Sequence, residues 1–369
     1  MTMLKLVNHS PRLSARLEKI KAILADRALD ALIIFKPVNL HYLTGFRGTS
    51  GALAVFPDKG CLVIDARYEE RAEREAANVE IWGGKNVRGA LRDLLGDAGT
   101  QKIGFEANGL TYAEFEHYTK LLSGLGSRVE LVHVDYAVEN IRLEKDAGEV
   151  ADIKRAAELA DACLSHLTTV IKPGLTEKAV ADAAEFHMRE AGAEAASFEI
   201  IVAGGANSAI PHAGSTDRPL ERGDLVLVDL GAVVNGYCSD ITRSFVLGPA
   251  TPAQTALHAT VLEALRQTTA AVRAGGGAAE LDDLCRGLLE RSGTPGKFLH
   301  SLGHGVGLEI HERPHLGTGS TDTLEMGMVF TLEPGLYERG FGGVRLEDMV
   351  LLGDTPAVLT RFPHDLLEL

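Results

Sequence analysis

The chain has 369 residues, 45% of them hydrophobic and 24% charged, an ordinary globular balance with ample material for a core. The length favours two or three domains over one. A formal net charge of -14 argues against nucleic acid and against an anionic membrane surface as partners, since both require clustered Lys and Arg. The opening MTMLKLVNHSPRLSARLEKI has no continuous apolar region and no small-residue cleavage site, so no secretory signal is expected. No apolar run approaches the roughly 18 residues of a membrane-spanning helix. The four cysteines, Cys61, Cys163, Cys238 and Cys285, are scattered without a C-x-x-C pair. That spacing suggests neither a zinc knuckle nor a disulfide framework, and a reducing, cytoplasmic setting is the expectation.

The predicted elements alternate from residue 10. Ser10-Pro11 reads as a helix cap and first helical position, opening an amphipathic run through Ala28. A buried strand follows at ALIIF (31–35), and the apolar runs ALAVF and CLVID flank Pro57-Asp58-Lys59-Gly60 as a hairpin. Further helix and strand units, with strands at KIGFE and VELVHV, predict an α/β domain over residues 1–141. Near Arg142 the pattern changes. Glu144 to Ile171 predicts one long helix stopped at Pro173-Gly174, and a second helix covers about Thr176 to Ala191. Glycine-interrupted strands come next, then helices over about 252–273 and 278–292, then a strand-rich end.

The segment LVLVDLGAVVNGYCSDITRSFVL is the most informative in the chain. Asn235-Gly236 between two β-branched runs predicts a two-residue hairpin turn, because a type I′ turn needs positive φ at both central residues. That turn sets the register: Val234 faces Tyr237, Asp229 faces Thr242, and Asp240 faces Gly231. Alternation then puts Asp229 and Asp240 on one face as diagonal neighbours. Two carboxylates side by side among Val, Leu and Ile repel and lose hydration, so one must protonate or a cation must sit between them.

In KFLHSLGHGVGLEIHERPH, His300 and His304 are four apart, the spacing of a helical metal pair. Gly303, Gly305 and Gly307 disfavour a helix there and predict an extended chain passing close to another backbone or an ion. One of these histidines is expected to be a ligand, with the others beside it or facing substrate. In MVFTLEPGLYERGFGGVRLEDMVLL two apolar runs flank a Gly-rich turn. Glu333 and Glu347 are an even number apart, so some registers place them opposite each other, with Arg345 on the face of Glu347. Together the strands supply two Asp, one His and two Glu. Such a set can hold two divalent ions about 3.5–4 Å apart and activate a water. Its hard, oxygen-rich character suits Mn²⁺ or Co²⁺, with Zn²⁺ and Fe²⁺ still open.

The ordered set DLG…CSDITR, GHGVGLEIHERP, TLEPG and VRLED resembles the pita-bread metallopeptidases, the superfamily of methionine aminopeptidase, aminopeptidase P and prolidase, over residues 142–369. The run YLTGFRGTSGALAVFPDKGCLVIDARYEERAERE looks like the N-terminal domain of short bacterial aminopeptidases P. The resemblance implies an α/β N-terminal domain of creatinase/prolidase type over 1–141 and an α+β pita-bread catalytic domain over 142–369. It implies Asp229, Asp240, His304, Glu333 and Glu347 as ligands of two divalent metal ions, with Asp240 and Glu347 bridging. His212 and His311 would act on substrate, Glu333 would accept a proton from water, His300 would help line the proline pocket, and Arg345 would orient Glu347 or the substrate.

The implied activity is release of the N-terminal residue from short peptides with proline at position two, by an Xaa-Pro aminopeptidase that is expected to form a homodimer. The alternatives are an Xaa-Pro dipeptidase that reads a free C-terminal carboxylate and, less favoured, a non-catalytic peptide-binding module. One departure bears on that choice. Prolidases often carry an Arg after the Pro of the HExP motif, where it binds the substrate carboxylate; here His315 stands there, and Arg313, within the motif and two residues beyond His311, is the candidate to bind the substrate end instead.

Overall fold

A computed structural model describes residues 2–6, 8–124 and 129–369, which fall into two compact units, Met1–Arg142 and Leu143–Leu369. In the first unit the elements run β1 (Thr2–Leu6), α1 (Pro11–Asp26), β2 (Ala31–Ile34), α2 (Pro37–Thr44), β3 (Ala52–Val55), β4 (Gly60–Asp65), α3 (Glu69–Glu75), β5 (Glu80–Gly84), α4 (Val87–Asp97), β6 (Lys102–Glu106), α5 (Tyr112–Ser123), β7 (Glu130–Val134) and α6 (Ala137–Arg142). The seven strands form one mixed sheet in the order β1-β5-β4-β3-β2-β6-β7. β4 pairs parallel with β5, and β2 with β6, while β3 runs antiparallel to β2 and β4. The carboxyl ends of β2, β4, β5 and β6 therefore share one edge. β2 and β3 are buried at every position, which is why both read as continuous apolar runs rather than alternating ones. On one face Leu91, Leu94 and Leu95 of α4 and Leu122 of α5 pack with Ile33, Ala54 and Val63. Trp82, the one tryptophan of the chain, lies in β5 and donates from Nε1 to Glu80 Oε2 at 3.1 Å.

The second unit contains α7 (Ala147–Val170), α8 (Glu177–Glu190), β8 (Ala195–Ala196), β9 (Ile201–Gly204), β10 (Leu225–Leu230), β11 (Ala232–Val234), β12 (Tyr237–Cys238), β13 (Ile241–Val246), α9 (Pro252–Ala271), α10 (Ala278–Arg291), β14 (Gly303–Gly305), β15 (Glu312–Leu316), β16 (Val329–Leu332), β17 (Gly335–Glu338), β18 (Gly342–Arg345), β19 (Asp348–Leu351) and β20 (Ala357–Val358). The long helix starts at Ala147 rather than Glu144 because Asp146 caps it, its Oδ1 accepting from Gly148 N at 2.9 Å and Glu149 N at 3.0 Å. Each helix pair covers one strand ladder. α7 and α8 bury Leu164, Leu167 and Val180 against Val226, Val228 and Phe245. α9 and α10 bury Val261, Leu265 and Leu289 against Phe330, Leu332 and Val350.

Both ladders are interrupted, and the interruptions position the site. Asn235 (φ 50°) and Gly236 (φ 82°) form the expected turn, and the expected register runs outward from it through Val233↔Cys238 to Asp229↔Thr242. Between these two pairings the regular ladder is interrupted at Gly231 and Ser239-Asp240, although the strands stay close. A Cβ on Gly231 would lie 1.8 Å from the Ser239 carbonyl oxygen, so only glycine admits that approach. The second ladder pairs Leu332 with Asp348 and Gly335 with Arg345, one register on both sides of a gap at Glu333-Pro334 and Leu346-Glu347. That register sets Glu333 opposite Glu347. In the gap their backbones bond elsewhere: Glu333 N donates to Leu302 O at 2.8 Å, and Glu347 N to Thr242 O at 3.1 Å, tying the second ladder to the first.

All four cysteines are buried, and none forms a disulfide. Among the described residues no helix is long and apolar enough to cross a membrane.

Candidate metal centre

Three strand systems deliver the carboxylates and one imidazole to the same place. Asp229 ends the run of β10, Asp240 lies at the first ladder's gap, and Glu333 and Glu347 lie at the second's. His304 is the central residue of β14, a strand that is neither helical nor free. A Cβ on Gly303 would meet the Thr331 carbonyl oxygen at 2.1 Å, and one on Gly305 would meet the Arg313 carbonyl oxygen at 2.1 Å. The glycines thus let β14 slide between β15 and β16, as expected of an extended chain in close backbone contact.

Ligand-type atoms of Asp240, His304 and Glu347 all lie within 4.8 Å of one another. His304 Nε2 is 3.5 Å from Asp240 Oδ2 and 3.6 Å from Glu333 Oε1. Its Nδ1 is 3.1 Å from the Gly305 carbonyl oxygen, a contact that requires a proton on Nδ1. Burial holds the ring's pKa down to about 4, so Nε2 presents its lone pair to the carboxylates. Asp229 Oδ2 pairs with the Arg345 guanidinium, while its buried Oδ1 has no partner among the described residues.

The charge balance of this cluster calls for cations. Four carboxylates face one buried guanidinium. Burial, then repulsion from Glu347, raises the pKa of Asp240 and of Glu333 well above the ordinary range. Glu347 is pushed up to about 8 by burial and then by Asp229. Carboxylates left this underneutralised, a neutral imidazole with its lone pair inward and an orphaned carboxylate oxygen fit divalent metal ions.

Around the cluster, Arg345 is 2% exposed and all its bonds are to protein: Nε to Thr242 Oγ1 at 3.0 Å, one Nη to Tyr337 Oη at 3.0 Å and to Pro211 O at 3.1 Å, the other to Asp229. Thr242 Oγ1 in turn donates to Glu347 Oε2 at 2.6 Å. His300 is held at both nitrogens, by Ser301 O at 2.8 Å and Tyr337 Oη at 2.7 Å, and burial lowers its pKa to about 3. His311 packs edge-on against His304 with ring centroids 4.3 Å apart, and burial, then His212, lowers its pKa. His212 is exposed beside it. Arg313, by contrast, is engaged by Asp322, its Nε 3.0 Å from Oδ1, and the His315 amide donates to the same carboxylate at 2.8 Å.

Thr242, Thr331 and Tyr337 have no role in the sequence reading, yet Thr242 and Thr331 touch the cluster and Tyr337 braces Arg345 and His300 beside it. Thr331 Oγ1 accepts from His304 N at 3.1 Å. A signal did exist: Thr242 faces Asp229 in the hairpin register, and Tyr337 shares the parity of Glu333.

Two interrupted ladders with a buried carboxylate–imidazole cluster between them define a class of metal-dependent hydrolase. Residues 151–354 match the model of metallopeptidase family M24, and residues 16–143 match the creatinase/prolidase N-terminal domain. The chain belongs to metallopeptidase family M24, with a pita-bread catalytic fold behind a creatinase-type N-terminal domain. It is 34% identical to an Xaa-Pro dipeptidase of Pyrococcus furiosus, over 95% of this chain and 99% of that one. A structure named as an Xaa-Pro dipeptidase from Bacillus anthracis superposes with a TM-score of 0.92 at 34% identity, covering 97% of this chain and all of the other. An X-Pro aminopeptidase structure from Thermotoga maritima superposes with a TM-score of 0.86 at 31% identity, covering 94% and 99%.

Proposed function

We propose that this metallopeptidase is an Xaa-Pro dipeptidase, cleaving the bond before a C-terminal proline. The observation that carries the hydrolytic reading is the buried cluster of four carboxylates and His304 with a single guanidinium among them. The preference for the dipeptide reverses the expectation drawn from the first domain's resemblance. It rests on two near-full-length relatives at 34% identity that are named Xaa-Pro dipeptidases.

In this reading Asp229, Asp240, His304, Glu333 and Glu347 hold two divalent ions, and the oxygen-rich donor set favours Mn²⁺. Bound there, such ions supply the Lewis acidity that makes water nucleophilic at neutral pH and polarises a peptide carbonyl. The chain's own groups do the rest. Glu333 takes the proton of the attacking water. His311, kept neutral by burial, donates a hydrogen bond to the carbonyl oxygen as negative charge develops. His212 delivers a proton to the leaving proline nitrogen. Arg345 and Thr242 position Asp229 and Glu347 rather than touch substrate, and His300, fixed by Tyr337, forms part of the wall around proline. Residues 142–369 would be the catalytic domain and 1–141 an accessory domain, in a homodimer whose mass light scattering would measure.

The aminopeptidase remains the second reading, favoured by His315 at the place of the carboxylate-binding Arg and by the ion pair that occupies Arg313. A panel of Xaa-Pro, Xaa-Pro-Yaa and longer peptides separates the two. The dipeptidase should lose most of its kcat/KM when one residue is added after proline. Equal or faster cleavage of the tripeptide would replace it with the aminopeptidase. If dipeptide preference holds, Arg313→Ala tests whether that guanidinium leaves Asp322 to read the carboxylate.

A further inference from the structure

The largest cavity described is not at the metal centre. It lies within the first unit, at the edge of the sheet where the carboxyl ends of β2, β4, β5 and β6 open, and has a volume of about 1090 Å³. In open α/β sheets ligands bind outside the carboxyl ends of the strands, and this volume matches the upper range of small-molecule sites. Its walls come from Phe35 after β2, Asp65 and Arg67 after β4, Lys85 after β5, and the starts of α4 and α5.

The charges on that wall are not equivalent. Asp65 is spent on Arg67, whose Nε and Nη2 reach its two oxygens at 2.9 and 2.8 Å. Glu114 is spent on the cap of α5, accepting from Thr111 N at 2.9 Å and Thr111 Oγ1 at 2.8 Å. Lys85 and Arg88 make no ion pair among the described residues, and both side chains are exposed. Lys85 is uncommitted, while Arg88 hydrogen-bonds Tyr118 and faces Glu114 without an ion pair; two cations at one cavity stand out on a chain with net charge -14. Beside them is an apolar surface: the Phe35 and Tyr118 rings lie 4.9 Å apart, and Arg88 sits 5.9 Å from the Tyr118 ring centre.

We propose that this cavity is a second ligand site, for an anion of nucleotide size with a planar apolar body. Lys85 and Arg88 read the phosphate or carboxylate, and Phe35 with Tyr118 supports the ring. Calorimetric titration of the full-length, metal-loaded protein with AMP and with 1-naphthoate tests it, using adenosine and inorganic phosphate as the two halves of AMP. AMP or 1-naphthoate should bind with Kd below about 1 mM, and whichever binds tells phosphate from carboxylate. AMP, if it is the one bound, should bind at least several-fold more tightly than either half. Binding should weaken roughly tenfold in Lys85→Ala/Arg88→Ala, a loss of about 1.4 kcal/mol, with Xaa-Pro hydrolysis unchanged. Should that double variant melt early, Lys85→Gln alone carries the same expectation with a smaller loss. Failure of both probes to bind, equal binding of AMP and inorganic phosphate, or unchanged binding in the variants would overturn the site.

Discussion

The Thr242 hydroxyl helps join the two ladders at the metal centre. Thr242 Oγ1 accepts from Arg345 and donates to Glu347, so it fixes both an arginine that holds Asp229 and a carboxylate of the cluster. Groups that orient metal ligands typically contribute 10- to 100-fold to metal affinity or activity. Thr242→Val should therefore lower bound metal, measured by plasma mass spectrometry, by roughly that factor, and Thr242→Ser should restore it. An unaffected metal content in Thr242→Val would show that Glu347 is held by its backbone alone. Asp240→Asn should abolish turnover and deplete metal, because Asp240 offers a ligand atom within 4.8 Å of those of His304 and Glu347; near-normal activity with two ions per chain would remove it from the ligand set. His311→Ala should keep its metal while kcat falls by about 10²-fold or more, the usual scale of an oxyanion donor. The five cluster residues could be singled out only as a set, because a lone carboxylate on a strand is ordinary and it is the ordered motifs together, with the resemblance they carry, that point to a metal centre. Thr242 and Tyr337 could not, since a threonine or tyrosine on a buried strand is ordinary until its hydrogen-bond partner is known.

At the scale of elements, what was legible depended on turn chemistry. Asn235-Gly236 permits one turn geometry and so sets the first ladder, including Asp229 opposite Thr242. The second ladder has several glycines near its turn and many registers compatible with them, so the facing of Glu333 and Glu347 had to be observed. The gaps in both ladders were not legible either, because they depend on backbone bonds to distant strands, such as Glu347 N to Thr242 O. The glycines around His304 did predict a close backbone approach, and it can be probed directly. Gly305→Ala puts a methyl group against the Arg313 carbonyl, backbone rather than a yielding side chain. Overpacking of this kind typically costs about 1–3 kcal/mol. A lower melting temperature and reduced metal content are expected together, since β14 carries His304. Loss of neither would mean that the strand shifts freely.

For the whole molecule, metal removal and pH are linked. Ions that bind only the folded chain stabilise it by about 2.7 kcal/mol at a hundredfold excess over Kd, so chelation should lower the melting temperature. In the metal-free protein the folded-state pKa of Glu347 is about 8 against an ordinary 4.5, and Asp240 and Glu333 shift in the same direction. A group that binds its proton more tightly when folded contributes stability at low pH and loses it as pH rises. Scanning calorimetry should thus find the chelated protein less stable near pH 8 than near pH 5, with a shallower slope once metal is restored. A rising melting temperature for the chelated protein over that interval would contradict the electrostatics described above. The class of enzyme was legible in the motifs because metal chemistry constrains residue type and order. The choice between dipeptidase and aminopeptidase was not, because a single sequence does not show which group meets the end of the substrate.

The placement of Trp82 has a spectroscopic consequence. The only indole lies in β5 of the first unit, bonded to Glu80, whereas every residue of the metal cluster lies in the second. Tryptophan emission during denaturation therefore reports the melting of Met1–Arg142, while loss of peptidase activity reports Leu143–Leu369. Coincident curves would mean that the chain unfolds as one cooperative body, and separated curves would give each unit its own midpoint without cutting the polypeptide.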